Sequence, residues 1–180
     1  IKIGIKQRLV IVKEVDFGVY LGELGKEEKV LLPKKQVPEN SKIGDTLAVF
    51  IYRDSEDRLI ATTREPKMQL GEIALLAVKE VNQVGAFCDW GLEKDLFVPY
   101  KEQLFTPKIG KSYLVALYVD KSNRLCGTMR VYDFLQDSAP YKKDDMVHGT
   151  VYEVHREIGV FVAIDNKYHG VIPAKEVFGN

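Results

Sequence analysis

One short pattern occurs three times in this chain and leaves little freedom in what the chain can fold into. It is an apolar or aromatic residue, a glycine, a small or β-branched residue and an aromatic: Phe17-Gly18-Val19-Tyr20, Val84-Gly85-Ala86-Phe87 and Ile158-Gly159-Val160-Phe161. Each glycine is followed at nearly constant distance by a proline: Pro33, Pro99 and Pro173. Beyond the proline the first two copies hold a common offset of 66, which pairs Ile43-Gly44 with Ile109-Gly110, Asp54 with Asp120, Arg58 with Arg124, Thr62 with Thr128 and Arg64 with Arg130. A period of this length means tandem modules rather than one large domain. The expected boundaries are 1–65, 66–134 and 141–180, the third lacking its second half.

Within the first module, Arg8 to Val15 is rich in β-branched residues and predicts a strand. Asp16 and Gly18 predict a bulge or sharp bend, because glycine tolerates close backbone approach. Tyr20-Leu21 continues a second strand, the charged stretch Gly22–Lys29 reads as a hairpin loop, and Lys29–Leu32 forms a third strand ended by Pro33. Lys34–Lys42 is expected to be irregular or a single helical turn, and Asp45–Tyr52 and Arg58–Thr63 supply the fourth and fifth strands. The second module repeats this order. Five short strands without an amphipathic helical pattern predict an all-β fold of tandem five-stranded oligonucleotide-binding (OB) barrels, the third incomplete. Asp133–Asp144, polar and turn-rich, reads as a flexible joint before that third barrel.

Composition restricts function. Lys plus Arg equals Asp plus Glu at 26 each, so no global field steers the chain to a polyanion and a nucleic-acid site must be a local patch. Cys88 and Cys126 match neither a zinc spacing nor a disulfide framework, and His148, His155 and His169 form no metal triad. There is no phosphate-cradling glycine loop, nucleophile elbow or placed acid and base pair, so neither enzyme activity nor a cofactor is expected. The chain has no apolar run of membrane-spanning length and no signal-peptide pattern, which predicts a cytoplasmic protein without a membrane partner.

The third copy, with Gly149-x-Val151, Ile158 to Val162 and Gly170-Val171-Ile172-Pro173, resembles the S1-type RNA-binding domain, a subclass of the OB fold. Asp54 to Arg58 with Thr62 and Arg64, and their counterparts Asp120, Arg124, Thr128 and Arg130, resemble that domain's closing strands. Over its whole length the chain is similar to the bacterial family of conserved virulence factor B and YitL, whose members carry three tandem S1-type domains followed by a winged helix. The resemblance implies a cytoplasmic protein that binds single-stranded RNA in post-transcriptional regulation. It places the RNA-binding candidates at Phe17, Tyr20, Lys34, Arg58 and Arg64, at Phe87, Arg124 and Arg130, and at Phe161 and His169. The sequence departs from the family pattern at Pro33, Pro99 and Pro173, where histidine is common, and at Val84 and Ile158 in place of a first aromatic.

Other readings stay open on the residues alone. Whether Phe17 and Tyr20 share a face depends on the glycine between them. The four arginines are equally compatible with solvated rim positions paired to nearby acids, and Trp90 with a barrel cover. Stacking ignores the sugar, so DNA is an alternative partner. Two further functions compete: a protein-interaction module, since OB barrels host many roles, and the specificity part of a larger RNA-processing protein.

Overall fold

The computed structural model describes residues 1–179. Strand β1 (Lys6–Val15) buries Leu9 and Ile11 while Lys6, Arg8 and Lys13 stay exposed, the period-two alternation of a half-buried strand. Strands β2 (Gly18–Gly22), β3 (Lys29–Pro33), β4 (Thr46–Arg53) and β5 (Leu59–Thr62) follow, and together the five close a barrel in the order β1-β2-β3-β5-β4. Its core is Leu9, Ile11, Val19, Leu21, Val30, Leu32, Val49, Ile51 and Ala61. All pairings are antiparallel except the β3 to β5 contact at Leu31 and Ile60, which closes the ring.

The second module repeats the design with β6 (Ile73–Val81), β7 (Gly85–Asp89), β8 (Leu96–Pro99), β9 (Ser112–Val119) and β10 (Leu125–Thr128), in the order β10-β9-β6-β7-β8. This is the same circuit left open between β8 and β10. The third copy forms an unclosed sheet of β11 (Gly149–His155), β12 (Gly159–Ile164) and β13 (Tyr168–Pro173), followed by one helical turn, α1 (Ala174–Val177). The described chain divides into two compact units, one of Ile1–Leu70 with Trp90–Asp95 and Val119–Leu125, the other of the remaining residues from Gly71 on.

The repeated glycine has a steric cause. In each module it faces the end of the third strand, as Gly18 with Pro33, Gly85 with Pro99 and Gly159 with Pro173. A Cβ there would lie 2.2 Å from the Leu32 carbonyl oxygen, 2.3 Å from that of Val98 and 2.0 Å from that of Ile172. The residue after each proline then donates its N–H to the carbonyl just before the glycine: Lys34 to Phe17 at 2.9 Å, Tyr100 to Val84 at 2.9 Å and Ala174 to Ile158 at 3.1 Å. The glycine and proline therefore mark one clamp, made three times.

Of the bulge or sharp bend expected at Asp16 and Gly18, the structure has the bend, and the bulge lies elsewhere. Asp16-Phe17 is a two-residue turn between paired Val15 and Gly18, and the register shift falls earlier, between Ile11 and Lys13. The same shift recurs between Val78 and Glu80 and between Val151 and Glu153. The cause is visible in the hydrogen bonding: Ile11 turns its N–H to Asp45 O and its carbonyl to Gly44 N, and Val78 does the same with Lys111 and Gly110. The first strand changes partners at that point, and an extra residue accommodates the bend.

The polar joint also differs from expectation, because its start is docked. Val131–Phe134 is one 3₁₀ turn and both Val131 and Leu135 are buried. They share a cluster with Ile73, Leu114, Ala116, Tyr152 and Ala163, so the three-stranded sheet packs one side on β6, β9 and the turn after β10, while Val151, Val154, Val171 and Ile172 stay exposed. Gln136 then donates to Lys167 O at 2.7 Å and accepts from His169 N at 3.0 Å. This is a parallel bridge to β13, of the kind β5 makes with β3. The expectation of flexibility at Asp133–Asp144 weighed the polar residues and missed the apolar anchor Leu135, which Val131 joins from just before the joint.

Gly18→Ala should therefore destabilise the chain by about 3 kcal/mol, since backbone rather than a side chain must give way. At Gly44 a Cβ would meet nothing, and only the positive φ opposes it, so Gly44→Ala should cost about 1 kcal/mol. Urea unfolding midpoints of the two variants check the order; equal midpoints would remove the clamp argument.

Candidate nucleic-acid interface

Val19 and Leu21 point into the first barrel, which turns Tyr20 outward. Its cross-strand neighbour on β1 is Lys13, and on β3 Leu31. Leu31 in turn faces Ile60 and Ile60 faces Tyr52, so an outward row crosses the barrel. Phe17, 58% exposed at the tip of the β1–β2 turn, meets Tyr20 edge to face with ring centroids 6.4 Å apart. The two rings thus share a surface. The clamp brings exposed Lys34 beside Phe17 through the Lys34 N–H to Phe17 carbonyl bond.

The arginines are arranged differently. Arg58 opens β5 at the hairpin end of the barrel, level with Lys29 rather than with Phe17 and Lys34. Its side chain pairs with Asp54 at 3.0 Å and Glu56 at 3.2 Å. Asp54 also accepts backbone N–H bonds from Glu56 and Arg58, at 2.9 Å each, and in the second module Asp120 accepts from Ser122 and Arg124 at 2.8 and 3.0 Å. Both hairpins carry a residue with positive φ, Asp57 and Asn123, so the Asp-x-x-x-Arg pattern is a turn staple. Arg124 pairs with Asp57 at 3.2 Å. Arg64 and Arg130 lie at the other end of their barrels, past a threonine that bonds the 3₁₀ turn: Thr62 to Gln36 at 3.0 Å and Thr128 to Glu102 at 2.8 Å. Arg130 reaches the Lys101 carbonyl at 3.4 Å, and Arg64 is close enough to Tyr52 and Glu93 to act on both electrostatically.

In the second module Phe87 faces Phe97 across the ladder, with centroids 5.2 Å apart. Tyr100, 68% exposed, occupies the place of Lys34 opposite Val84. The aromatic missing at Val84 is thus supplied from the other side of the clamp. Sequence reasoning passed over Phe97 and Tyr100, although the offset of 66 maps Leu31 and Lys34 onto them. In the third module Phe161 is flanked by His155 at 4.9 Å and Tyr132 at 6.0 Å, and Tyr132 meets His169 at a tilt with centroids 4.4 Å apart. Tyr132 lies in the 3₁₀ turn Val131–Phe134 just before the expected joint, outside the repeated pattern, and no sequence signal marks it. Trp90 is a cover: it is 3% exposed, packs edge-on against Phe50 and donates its indole N–H to the Lys94 carbonyl at 2.7 Å.

Charge beside the rings differs among the copies. The β1 neighbour of Tyr20 is Lys13, whereas Phe87 faces Glu80 and Phe161 faces Glu153. Only the first face presents a cation at that register. Among the described residues no group of three or more His, Cys, Asp or Glu could hold a metal ion, and no helix is long and apolar enough to cross a membrane. Cys88 and Cys126 are buried thiols.

The hairpin staple titrates. Burial opposes the Asp54 charge, but the Arg58 and Glu56 backbone N–H groups and the Arg58 guanidinium outweigh it and hold the carboxyl below its ordinary 3.8. A depressed folded pKa contributes stability that is full above the unfolded value and is lost as pH falls through the folded one. The Asp54 side-chain carboxyl carbon resonance should accordingly titrate below the ordinary aspartate range; titration at or above that range would contradict the staple.

Comparison with known proteins agrees with this geometry. The S1 domain family matches residues 3–64 and again 70–130. The protein YitL of Bacillus subtilis is 29% identical over 174 residues, covering 91% of this chain and 57% of its own. Conserved virulence factor B of Staphylococcus epidermidis is 23% identical over 152 residues, 78% of this chain and 51% of its own. A crystal structure of a multidomain protein with nucleic acid binding domains from Streptococcus pneumoniae superposes with a TM-score of 0.66 at 25% identity, over 97% of this chain and 63% of that one. The chain thus spans little more than half the length of the curated relatives it matches. With two S1 matches on two barrels of the same circuit, and relatives aligned along most of its length, the chain belongs to the S1-domain family, in the group of conserved virulence factor B and YitL.

Proposed function

We propose that this chain is a non-catalytic protein that holds single-stranded RNA across the β2 and β3 faces of its modules, 1–65, 66–134 and 141–180, and acts in the bacterial cytoplasm in post-transcriptional regulation. The observation that carries the reading is the outward ring repeated at one register, Tyr20, Phe87 and Phe161, each with further rings beside it. Splayed bases stack on such rings, and basic groups nearby meet the phosphates. The first face is the principal one, because Lys13 and Lys34 flank Phe17 and Tyr20 while Glu80 and Glu153 stand at the corresponding places in the other two. Arg64 is a phosphate contact; Arg58 and Arg124 serve their hairpins, and Arg130 and His169 border the second and third faces.

Docking of a partner protein is the second reading. It draws on a groove of about 630 Å³ lined by Leu104, Phe105, Tyr113, Met129, Val151 and Val154, with Ser112 and Glu153 among its polar residues.

Fluorescence anisotropy with labelled single-stranded RNA and matched DNA tests the first reading. Loss of both rings in Phe17→Ala with Tyr20→Ala should weaken binding about thirtyfold or more, at roughly 1–3 kcal/mol per ring. With about three phosphate contacts at roughly −0.7 each, the slope of log affinity against log salt should be near −2. Arg64→Glu should weaken binding to every sequence alike and Arg58→Glu should not. Absence of binding to any RNA would hand the assignment to the protein-docking reading.

A further inference from the structure

The third face contains residues that do not belong to its own sheet. Four rings form a row, His155 of β11, Phe161 of β12, Tyr132 of the turn after β10 and His169 of β13, with consecutive centroids 4.9, 6.0 and 4.4 Å apart. Tyr132 is the middle link between Phe161 and His169 and is 52% exposed. The segment that carries it is fixed from both sides. Val131 and Leu135 are sunk in the core, and Gln136 is bridged to β13 on both its N–H and its carbonyl. One residue on, Asp137 pairs with His169 Nε2 at 3.6 Å. Tyr132 is therefore placed by backbone bonds and buried anchors, and its ring is free on the solvent side.

We propose that Tyr132 is a base-stacking residue of the third face, so that this RNA site is composite and is built partly by the 3₁₀ turn that follows β10 at the end of the second module. The inference rests on the RNA-binding reading above and adds to it a residue outside the repeated pattern. Three points favour unpaired bases as the occupant. Phe161 stands at the register of Tyr20 and Phe87, the ring position common to all three copies. The added ring extends the row by one position toward His169, which makes room for a second base beside the one on Phe161. The row ends at both sides in an imidazole held by a carboxylate, His155 by Glu153 at 3.3 Å and His169 by Asp137, and these polar edges suit the hydrogen-bonding rim of a base better than an apolar side chain. The arrangement compensates for Ile158, which takes the place that Phe17 holds in the first module.

The sequence has a single tryptophan, Trp90, which is buried, so Tyr132→Trp installs a reporter on the row against a quiet background. It is titrated, as the full chain, with single-stranded RNA of about 30 nucleotides, long enough for three OB faces, and with an abasic strand of the same length. Anisotropy is followed in parallel, with Tyr132→Ala and Tyr132→Phe as partners. The expected result is emission quenched by RNA and unchanged by the abasic strand, affinity lowered about tenfold in Tyr132→Ala, and affinity within twofold of the parent in Tyr132→Phe. Parent-level binding with unquenched emission and an unaffected Tyr132→Ala overturns the proposal and leaves the RNA-binding reading intact. No binding by the parent chain overturns both.

Discussion

Everything in this fold that could meet a ligand hangs on the contact between a glycine and the carbonyl oxygen of the third strand. At 2.0 to 2.3 Å from a hypothetical Cβ, that oxygen forbids any other residue without backbone movement. The tight approach lets the residue after the proline donate back across the turn. It fixes the tip of the first hairpin against the end of the third strand, and with it the relative position of whatever side chains occupy the two. Phe17 with Lys34, Val84 with Tyr100 and Ile158 with Ala174 are three fillings of one frame. The frame is invariant because it is backbone, and the fillings vary because they face outward, where a substitution costs little in stability.

That division explains what could be read from the sequence. The barrels were legible because alternation and the glycine-proline spacing are both imposed by backbone geometry, and the strand limits fall within a residue or two of those expected. The sharp bend at Asp16-Phe17 was legible, but the bulge between Ile11 and Lys13 was not: there the first strand changes pairing partner, a tertiary event with no residue signature. In the candidate site, Phe17, Tyr20, Phe87 and Phe161 were legible from the repeat itself. Phe97 and Tyr100 were recoverable from the offset but do not resemble the Leu31 and Lys34 they replace. For Arg58 the sequence left a phosphate contact and a rim position paired to nearby acids both open, and the structure shows its pairing with Asp54 and Glu56.

The three faces also differ in what they ask of a ligand. The first joins rings to cations, the second gathers rings on both sides of the clamp with an acid beside Phe87, and the third is a ring row with imidazole ends. On the proposed RNA-binding reading, phosphates are attracted mainly at the first face and bases stack at each face taken by itself. Such a division suits a chain with no net charge, because selectivity then comes from how many bases are unpaired rather than from the length of a polyanion.

The buried cluster that seats the third sheet has a consequence for the order in which the protein can assemble. Ile73, Leu114 and Ala116 come from strands of the second module and Val131 and Leu135 from the turn after β10 and the residue beyond it, and all precede β11 in the chain. A ribosome therefore releases the whole docking surface before the first residue that needs it. The buried side of the third sheet can condense on a surface that is already folded.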